Sequence, residues 1–390
     1  MLKVLTLSTL FPDRSRRVFG GFVERQTLAL AAREDVALEV VAPIGLPLWP
    51  LSLHPHYRPL ARLPRVEAWK GLRIWRPRFT VWPLGAGDRS AAALAKVLLP
   101  LLERIRDTFP FDVIDSEFFW PDGVAAARVG RALKVPVSIK ARGSDIDLWG
   151  GRPAHLEQML EAARDAAGLL SVSAALKARM VALGMEESKI AVHYTGVDSA
   201  RFQPQDRAAA KAALGVDGPL IVTVGALIPL KGQRLALEAL ALLPDATLLV
   251  VGGGPDRAAL ERHAQDLGLG SRARFLGSKS HDSLPPILAA ADVMLLASER
   301  EGLANVWVES LACGTPIVIA ETGAAREVVD RPEAGLVVPR DPEALAGAVR
   351  SILADPPAQA AVRAAALRFG WERNARELFD HLSGLGSKSS

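Results

Sequence analysis

The sequence predicts an α/β protein built from two doubly wound domains with parallel sheets. The first observation is a repeated alternation of a short β-branched run, a turn of Gly, Pro or Asp, and an amphipathic segment rich in Ala and Leu. The second is that these runs have the composition of buried strands. Buried strands that alternate with helices indicate a parallel sheet that is covered by helices on both faces. The third is the length, because 390 residues suffice for two or three domains.

The first half of the chain contains the first series of these elements. Strands are expected at 3–10, 37–41, 72–76, 112–115, 137–140, 168–172 and 189–193. Helices are expected at 22–33, 90–107, 122–133, 153–166 and 174–182. A stretch rich in Pro and Trp at 43–83 interrupts the alternation, and we interpret it as an insertion.

The second half repeats the pattern after a segment at 197–218 that has the composition of a linker. Strands are expected at 220–224, 246–251, 273–276, 293–297, 316–319 and 335–338, and an amphipathic helix at 371–385. We expect a first domain at 1–200, a second at 201–370, and a C-terminal helix and tail at 371–390 that cross back to the first domain. Ligands of doubly wound sheets bind beyond the carboxyl ends of the strands, so we expect the site in a cleft between the domains.

The composition excludes several classes of protein. A hydrophobic fraction of 49% and a charged fraction of 23% exclude a disordered chain or a fibre. The single cysteine, Cys313, excludes a disulfide framework and favours a reducing cytoplasm. No apolar run is long enough to span a bilayer, and we interpret residues 1–11 as a first strand instead of a signal peptide.

Basic residues are concentrated in one segment. Residues 58–106 contain 11 Lys and Arg against 3 Asp and Glu, interleaved with Trp69, Trp75, Phe79 and Trp82. This pattern fits contact with an anionic membrane surface, which would make the protein peripheral at the inner face of the membrane. It also fits an anionic substrate, or a solvated loop whose Arg stems cover apolar surface.

The stretch 298–318 carries the clearest indication of chemistry. It follows a predicted strand, passes Gly302 and enters a helix that ends at Gly314. A helix that begins near 303–306 directs free backbone N–H groups at a diphosphate. Glu301 in the loop and Glu309 one turn inside the helix can then bind hydroxyls on either side of that phosphate. Lys231 lies at a second turn between a strand and a helix, where its ammonium group can bind a phosphate.

The spacing of Glu301 and Glu309, followed by the segment 312–316, resembles the E-x7-E signature of retaining glycosyltransferases of family 4, which have the GT-B architecture of two Rossmann-like domains. The resemblance covers nearly the whole chain, and within that family the chain is similar to bacterial enzymes that build exopolysaccharide or teichuronic-acid-type chains. Further matching segments are Gly20-Gly21, 142–145, 196–204, Lys231-Gly232, 251–255 and 290–292.

The resemblance implies a role for each matching residue. Glu309 would bind the ribose hydroxyls of the donor and Glu301 the donor sugar. Lys231 would bind the diphosphate, with the glycine loop at Gly21 close to it. Glu301, Lys231 and Arg142 would be the catalytic residues, and Gly20 and Asp145 would lie on the acceptor side. The backbone of the turn would hold the distal phosphate through Gly302, Leu303, Ala304, Asn305 and Val306.

Two positions depart from the family pattern. Arg142 stands where many relatives have an active-site histidine, and arginine stays protonated and cannot act as a general base. It can bind a phosphate or an acidic acceptor, or it can form a structural ion pair with Asp145. Ala226 stands where relatives often have an arginine, so donor binding would depend more strongly on Lys231.

The sequence therefore predicts a hexosyltransferase that transfers sugar from a nucleotide diphosphate sugar to a carbohydrate or lipid-linked acceptor in bacterial polysaccharide biosynthesis. By resemblance, the transfer retains the anomeric configuration and needs no metal or other cofactor, and a UDP-sugar is the expected donor. No nucleic acid partner is expected. The alternatives are a nucleotide-sugar 2-epimerase of the same architecture and a nucleotide-sugar-binding protein without catalytic activity.

Overall fold

A computed structural model describes residues 1–16, 19–82 and 89–386, which form two compact units. The first unit comprises Met1–Thr195 together with the C-terminal residues from Trp371, and the second comprises Gly196–Gly370. Pro83, the last residue of the expected insertion, and the expected tail at 387–390 lie outside the described residues.

The first unit contains a sheet of eight strands with the order β10-β9-β8-β7-β1-β2-β5-β4. Neighbouring strands are parallel except for the antiparallel pair β4 and β5, and β3 pairs with β6 in a separate parallel ladder. The elements are β1 (Leu2–Leu7), α1 (Gly21–Ala31), β2 (Val36–Val41), β3 (Ile44–Leu46), α2 (Arg58–Ala61), β4 (Val66–Trp69), β5 (Leu72–Trp75), β6 (Arg78–Thr80), α3 (Ser90–Thr108), β7 (Val113–Ser116), α4 (Val124–Leu133), β8 (Val137–Ala141), α5 (Ser144–Trp149), α6 (Pro153–Asp165), β9 (Gly168–Ser171), α7 (Ala174–Ala182) and β10 (Ile190–Val192).

The second unit contains a parallel sheet with the order β13-β12-β11-β14-β15-β16. The order reverses between β11 and β14, and such a switch point is where doubly wound sheets bind ligands. The elements are α8 (Arg207–Ala213), β11 (Leu220–Val224), α9 (Gln233–Ala241), β12 (Thr247–Val251), α10 (Arg257–Asp266), β13 (Ala273–Gly277), α11 (Leu284–Ala290), β14 (Val293–Leu296), α12 (Asn305–Ala312), β15 (Ile317–Ala320), α13 (Ala325–Val328), β16 (Gly335–Val338), α14 (Pro342–Ala354) and α15 (Gln359–Ala366).

The last helix, α16 (Trp371–Gly386), belongs to the first unit although it follows the second in the chain. Its Leu378 and Leu382 are buried in one apolar cluster with Val4, Val113 and Leu170 of the sheet. The predicted fold class, two Rossmann-like domains with parallel sheets and a C-terminal helix that returns to the first, is confirmed.

The expected insertion at 43–83 folds into short elements that the sequence analysis missed, namely β3, α2, β4 and β6. In β4 the charged Glu67 is buried, because the guanidinium of buried Arg76 donates to it at 2.5 Å. Arg78 donates to the backbone carbonyls of Leu63 and Arg76. These arginines stabilise the fold, so the basic segment does not present one continuous charged surface.

No helix within the described ranges is both long enough and apolar enough to cross a membrane.

Candidate active site

The switch point of the second sheet brings Lys231 and Glu301 together. Lys231 follows β11 and Glu301 follows β14, the neighbouring parallel strand, so both loops leave the same edge of the sheet. The ammonium of Lys231 donates to Oε1 of Glu301 at 2.5 Å, and their side chains are 23% and 10% exposed. The pair is thus accessible enough for a ligand to replace one partner.

Two glycines hold the Glu301 loop at close range. A Cβ on Gly232, which has φ of 69°, would lie 2.1 Å from the carbonyl oxygen of Ala297. A Cβ on Gly323, which has φ of 50°, would lie 1.9 Å from the carbonyl oxygen of Glu301. Only glycine permits this approach at positive φ, so the main chain around Glu301 is fixed from two sides.

The N-terminus of α12 provides free backbone donors next to Glu301 in the chain. The residue before the helix, Ala304, is extended and offers no side-chain cap. The first N–H groups of an α-helix have no acceptor within the helix, and the positive end of its dipole favours an anion. Of the predicted phosphate-binding turn, Leu303 and Ala304 are buried, and Asn305 begins the helix.

Glu309 lies inside α12 with its side chain 8% exposed, and it contacts His281. Nε2 of His281 is 2.7 Å from Oε1 of Glu309. The ring of His281 packs edge-on against Phe202 with the centroids 4.9 Å apart. His281 therefore orients the carboxylate that the resemblance assigns to the ribose.

His281 could not be identified from the motifs of the sequence, because it lies in none of them. His281 begins a 3₁₀ turn shortly after β13. This position at the carboxyl end of a parallel strand, on the edge that also carries Lys231 and Glu301, is the signal that identifies it.

In the first unit Arg142 follows β8, and its side chain is only 4% exposed. Its guanidinium pairs with the carboxylate of Glu117 and donates to Oε1 of Gln26 at 3.3 Å. Burial lowers the pKa of Arg142 to about 10, against the opposing effect of Asp115 and Asp145. The alternative of a structural ion pair with Asp145 is wrong, because the side-chain partner of Arg142 is Glu117.

The carboxylate of Asp145 accepts hydrogen bonds from backbone N–H groups. It accepts from the backbone N–H of Arg142 at 3.0 Å, of Gly143 at 2.8 Å, of Phe119 at 2.9 Å and of Ile146 at 3.1 Å. Burial raises the pKa of Asp145, and these hydrogen bonds oppose that effect. We interpret Asp145 as the group that fixes the main chain at Arg142.

The two glycines predicted in the first turn, Gly20 and Gly21, differ in whether the backbone at that position tolerates a Cβ. A Cβ on Gly20, which has φ of 63°, would lie 1.6 Å from the carbonyl oxygen of Leu10. Gly21 begins α1, and the nearest group to a Cβ there is the Arg25 guanidinium at 3.5 Å. Gly20 is therefore the position whose backbone requires glycine, and the expected approach of Gly21 to the donor stays a prediction.

A buried polar network extends from Arg142 into the sheet. The ammonium of Lys140 donates to Oε1 of Gln26 at 2.6 Å and is 2.6 Å from Nδ1 of His193. Nε2 of His193 in turn donates to the carbonyl of Asn374 in α16 at 2.9 Å. Burial lowers the pKa of Lys140 to about 7. The sequence analysis did not identify Lys140, because its partners lie far away in the chain.

The first unit also contains a cavity of about 350 Å³ beyond β1 and β2. Its lining includes the aromatic side chains of Phe79, Trp82, Trp120 and Trp149 together with Arg16. Aromatic faces can stack on sugar rings or cover an apolar chain.

Comparisons with known proteins match both units. Residues 31–201 match the family described as Glycosyltransferase Family 4, and residues 204–369 match the family described as Glycosyl transferases group 1. D-inositol 3-phosphate glycosyltransferase of Mycolicibacterium vanbaalenii is 37% identical over 221 residues, which are 52% of this chain and 48% of that protein. GDP-mannose-dependent alpha-(1-6)-phosphatidylinositol monomannoside mannosyltransferase of Mycolicibacterium smegmatis is 36% identical over 210 residues, 48% of this chain and 55% of that protein. The chain spans about half the length of these curated relatives.

Solved structures match over the full length at low identity and show the fold. Sucrose-phosphate synthase from Thermosynechococcus elongatus has a TM-score of 0.78 at 21% identity, with all of both chains covered. Anabaena Alr3699/HepE in complex with UDP has a TM-score of 0.74 at 20% identity, over 98% of this chain and 100% of that one. The two family matches adjoin and together span most of the chain, which is therefore similar in both units to the glycosyltransferases of group 1 and family 4 and has the GT-B fold.

Proposed function

We propose that this protein transfers a sugar from a nucleotide diphosphate sugar to an acceptor hydroxyl with retention of the anomeric configuration. The observation that carries the proposal is the contact of Lys231 with Glu301 beside the uncapped N-terminus of α12. It combines one cation, one carboxylate and free N–H groups at the switch point of a doubly wound sheet. A diphosphate joined to a sugar needs these three kinds of partner.

On donor binding, the diphosphate takes the place of Glu301 as the partner of Lys231. Glu301 is then free to accept hydrogen bonds from hydroxyls of the donor sugar. The N–H groups at the start of α12 bind the distal phosphate, and Glu309, oriented by His281, accepts from the ribose hydroxyls. The sugar, the diphosphate and the ribose of the donor thus each have a partner within the second unit.

In the transfer step, the bond between the anomeric carbon and the distal phosphate oxygen breaks. The acceptor oxygen forms the new bond on the same face of the sugar, and its proton passes to the departing phosphate oxygen. Lys231 and the N–H groups of α12 stabilise the negative charge that develops on the nucleoside diphosphate. The proposed step uses no metal and no cofactor.

For the donor we propose a UDP-sugar, on the family resemblance and on the bound UDP of one structural relative. A curated relative uses GDP-mannose, so GDP is the alternative to be tested. For the acceptor we propose a carbohydrate or lipid-linked glycan of polysaccharide biosynthesis, because the cavity of the first unit is lined by aromatic side chains. The buried free thiol of Cys313 favours the cytoplasm, and we include peripheral contact with the inner face of the membrane.

The test combines ligand binding and turnover. UDP is expected to raise the melting temperature more than GDP or ADP, because a ligand that binds only the folded state stabilises it. Glu309→Gln is expected to weaken UDP binding about tenfold, by loss of charge-assisted hydrogen bonds. Glu343→Gln, at an exposed position in α14, is the matched control and should bind normally.

Other outcomes would favour the alternatives or contradict the proposal. A melting temperature unchanged by all three nucleotides would contradict donor binding. Binding without turnover would favour a nucleotide-sugar-binding protein. Conversion of the nucleotide sugar into its 2-epimer, with no acceptor present, would favour the 2-epimerase. A product of inverted anomeric configuration would contradict the retaining step.

A further inference from the structure

One segment of the first unit exposes large apolar side chains that could have been buried. Residues 48–53 follow β3, and their exposed members are Leu48 at 52%, Trp49 at 78%, Leu51 at 52% and Leu53 at 58%. Isolated exposed apolar residues are common on protein surfaces, but four within six positions form a patch. We call residues 48–53 the apolar tip.

The residues that follow the tip show that this exposure is not a lack of apolar neighbours. Leu60 and Leu63 are buried in a cluster with Ile44, and Leu46 and Tyr57 pack against them. That cluster attaches the segment to the unit. The apolar residues of the segment thus divide into a set that faces inward and a set, the tip, that faces solvent.

Part of the backbone of the tip is hydrogen-bonded within the segment itself. The N–H groups of Ser52, Leu53 and His54 donate to the carbonyls of Leu48, Pro50 and Leu51 at 3.3, 3.0 and 3.1 Å. Pro50 has no N–H group. Satisfied main-chain donors matter because an unpaired N–H group is costly in lipid.

The charges that adjoin the tip in the sequence have one sign. The segment 46–66 contains no Asp or Glu, and it exposes Arg58, Arg62 and Arg65. No hydrogen bond or ion pair of these three side chains is found among the described residues, in contrast to Arg76 and Arg78. The free basic charge of this region therefore follows directly on the tip.

We propose that the apolar tip inserts into the interface of an anionic lipid bilayer, with Arg58, Arg62 and Arg65 against the lipid phosphates. Trp and Leu side chains enter the interfacial region, and each nearby basic residue adds attraction to anionic lipid. The inference rests on the peripheral membrane contact of the proposed function and names the element that makes it. An anionic bilayer fits better than a protein partner because the adjoining segment carries only basic charge and the apolar side chains of the tip are exposed.

The experiment is sedimentation of the full chain with vesicles of phosphatidylcholine alone or mixed with phosphatidylglycerol. The wild type is expected to bind the mixed vesicles, and added salt is expected to weaken binding. Trp49→Ser with Leu51→Ser is expected to reduce binding at least about tenfold, through loss of inserted apolar area. The matched control is Leu242→Ser with Leu367→Ser, which removes two leucines that are 41% and 58% exposed in the second unit and should leave binding unchanged.

A charge series tests the second part of the proposal. Arg58→Glu with Arg62→Glu is expected to reduce binding to the mixed vesicles about tenfold or more. Lys96→Glu with Arg104→Glu, two exposed positions of α3, is the control of equal charge change and should bind like the wild type. Brominated lipid is expected to quench tryptophan fluorescence in the wild type and less in Trp49→Phe.

The proposal is overturned if the wild type does not bind the mixed vesicles or if the tip and control variants bind them equally. A dimer that the tip variant dissociates, without vesicle binding, would assign the tip to a second copy of the chain and also overturn it. The UDP-dependent rise in melting temperature is measured on the same preparations, which also shows that each variant is folded. Failure of vesicle binding and failure of nucleotide binding are thus separate results.

Discussion

The two units hold their polar groups in different ways. In the second unit, Lys231 and Glu301 keep partial exposure, and the loop of Glu301 is fixed by main-chain approaches at Gly232 and Gly323. In the first unit, Glu117 and Lys140 are fully buried and are held by other side chains. The comparison indicates that ligand contacts in the second unit can be changed with little effect on folding, whereas the cluster of the first unit supports the fold.

The largest expected effect tests this contrast directly. Glu117→Ala removes the carboxylate that pairs with the Arg142 guanidinium and leaves this buried charge without its ion-pair partner. We expect a loss of about 3–5 kcal/mol in the free energy of unfolding, measured by urea denaturation. Glu301→Ala in the second unit should cost less than about 1 kcal/mol while abolishing most turnover.

A double variant completes this test. Glu117→Met combined with Arg142→Met removes both charges and is expected to recover much of the lost stability. If Glu117→Ala and Glu301→Ala were equally stable, the contrast between the units would be wrong.

The next largest effect concerns the glycines of the first unit. Gly20→Ala is expected to lower the free energy of unfolding by about 2 kcal/mol or more, because the new Cβ meets the carbonyl of Leu10 at positive φ. Gly21→Ala is the matched neighbour and should change it by less than about 1 kcal/mol. Thermal unfolding of the two variants, each compared with the wild type, measures the difference.

Lys140 makes the stability of the first unit depend on pH. Burial lowers its pKa from 10.5 to about 7, so between these values the unfolded chain binds a proton that the folded chain does not. The free energy of unfolding therefore rises with pH in this window, by up to about 1.4 kcal/mol per unit. Asp115 acts at lower pH, because burial raises its pKa from 3.8 to about 6 and stability falls as pH rises through that interval.

Substitution of Lys140 isolates the alkaline part of this dependence. Lys140→Met is expected to abolish the rise in stability above about pH 7. Lys96→Met, at an exposed position in α3, is the control and should keep it. Urea denaturation at a series of pH values measures both, and an unchanged rise in Lys140→Met would contradict the assignment.

The smallest expected effect is on a single contact of the second unit. His281→Ala removes the contact between the His281 ring and the Glu309 carboxylate and is expected to raise the KM for the nucleotide sugar about fivefold with kcat unchanged. His281→Gln should restore part of the affinity, since an amide can donate to the carboxylate. A fall in kcat at constant KM would indicate that His281 acts on the reacting groups instead.

Much of the fold could be predicted because the information is local. The strands β11 and β16 and the helix α7 have the expected bounds, since an apolar run between turn residues defines each one. The short strand β4 was missed because its inward residue, Glu67, is charged and is stabilised by Arg76 and Arg14, which lie elsewhere in the chain. Sequence reasoning from polarity assigns such a residue to the surface.

The candidate site could be predicted in part for a similar reason. The spacing from Glu301 to Glu309 is a local pattern, and their positions before and inside one helix follow from it. The contacts to Lys231 and His281 join distant parts of the chain, and for His281 no pattern indicated the pairing. The network of Lys140 and Glu117 was missed because buried charge pairs have no periodicity.

The position of α16 has a consequence for biosynthesis. Residues 196–370 are continuous, so the second unit can complete its core as soon as it leaves the ribosome. The first unit cannot complete its core until α16 has been translated. Until then, the apolar cluster that includes Val4, Val113 and Leu170 is not covered by that helix. The half of the protein that is made first is therefore the half that finishes folding last.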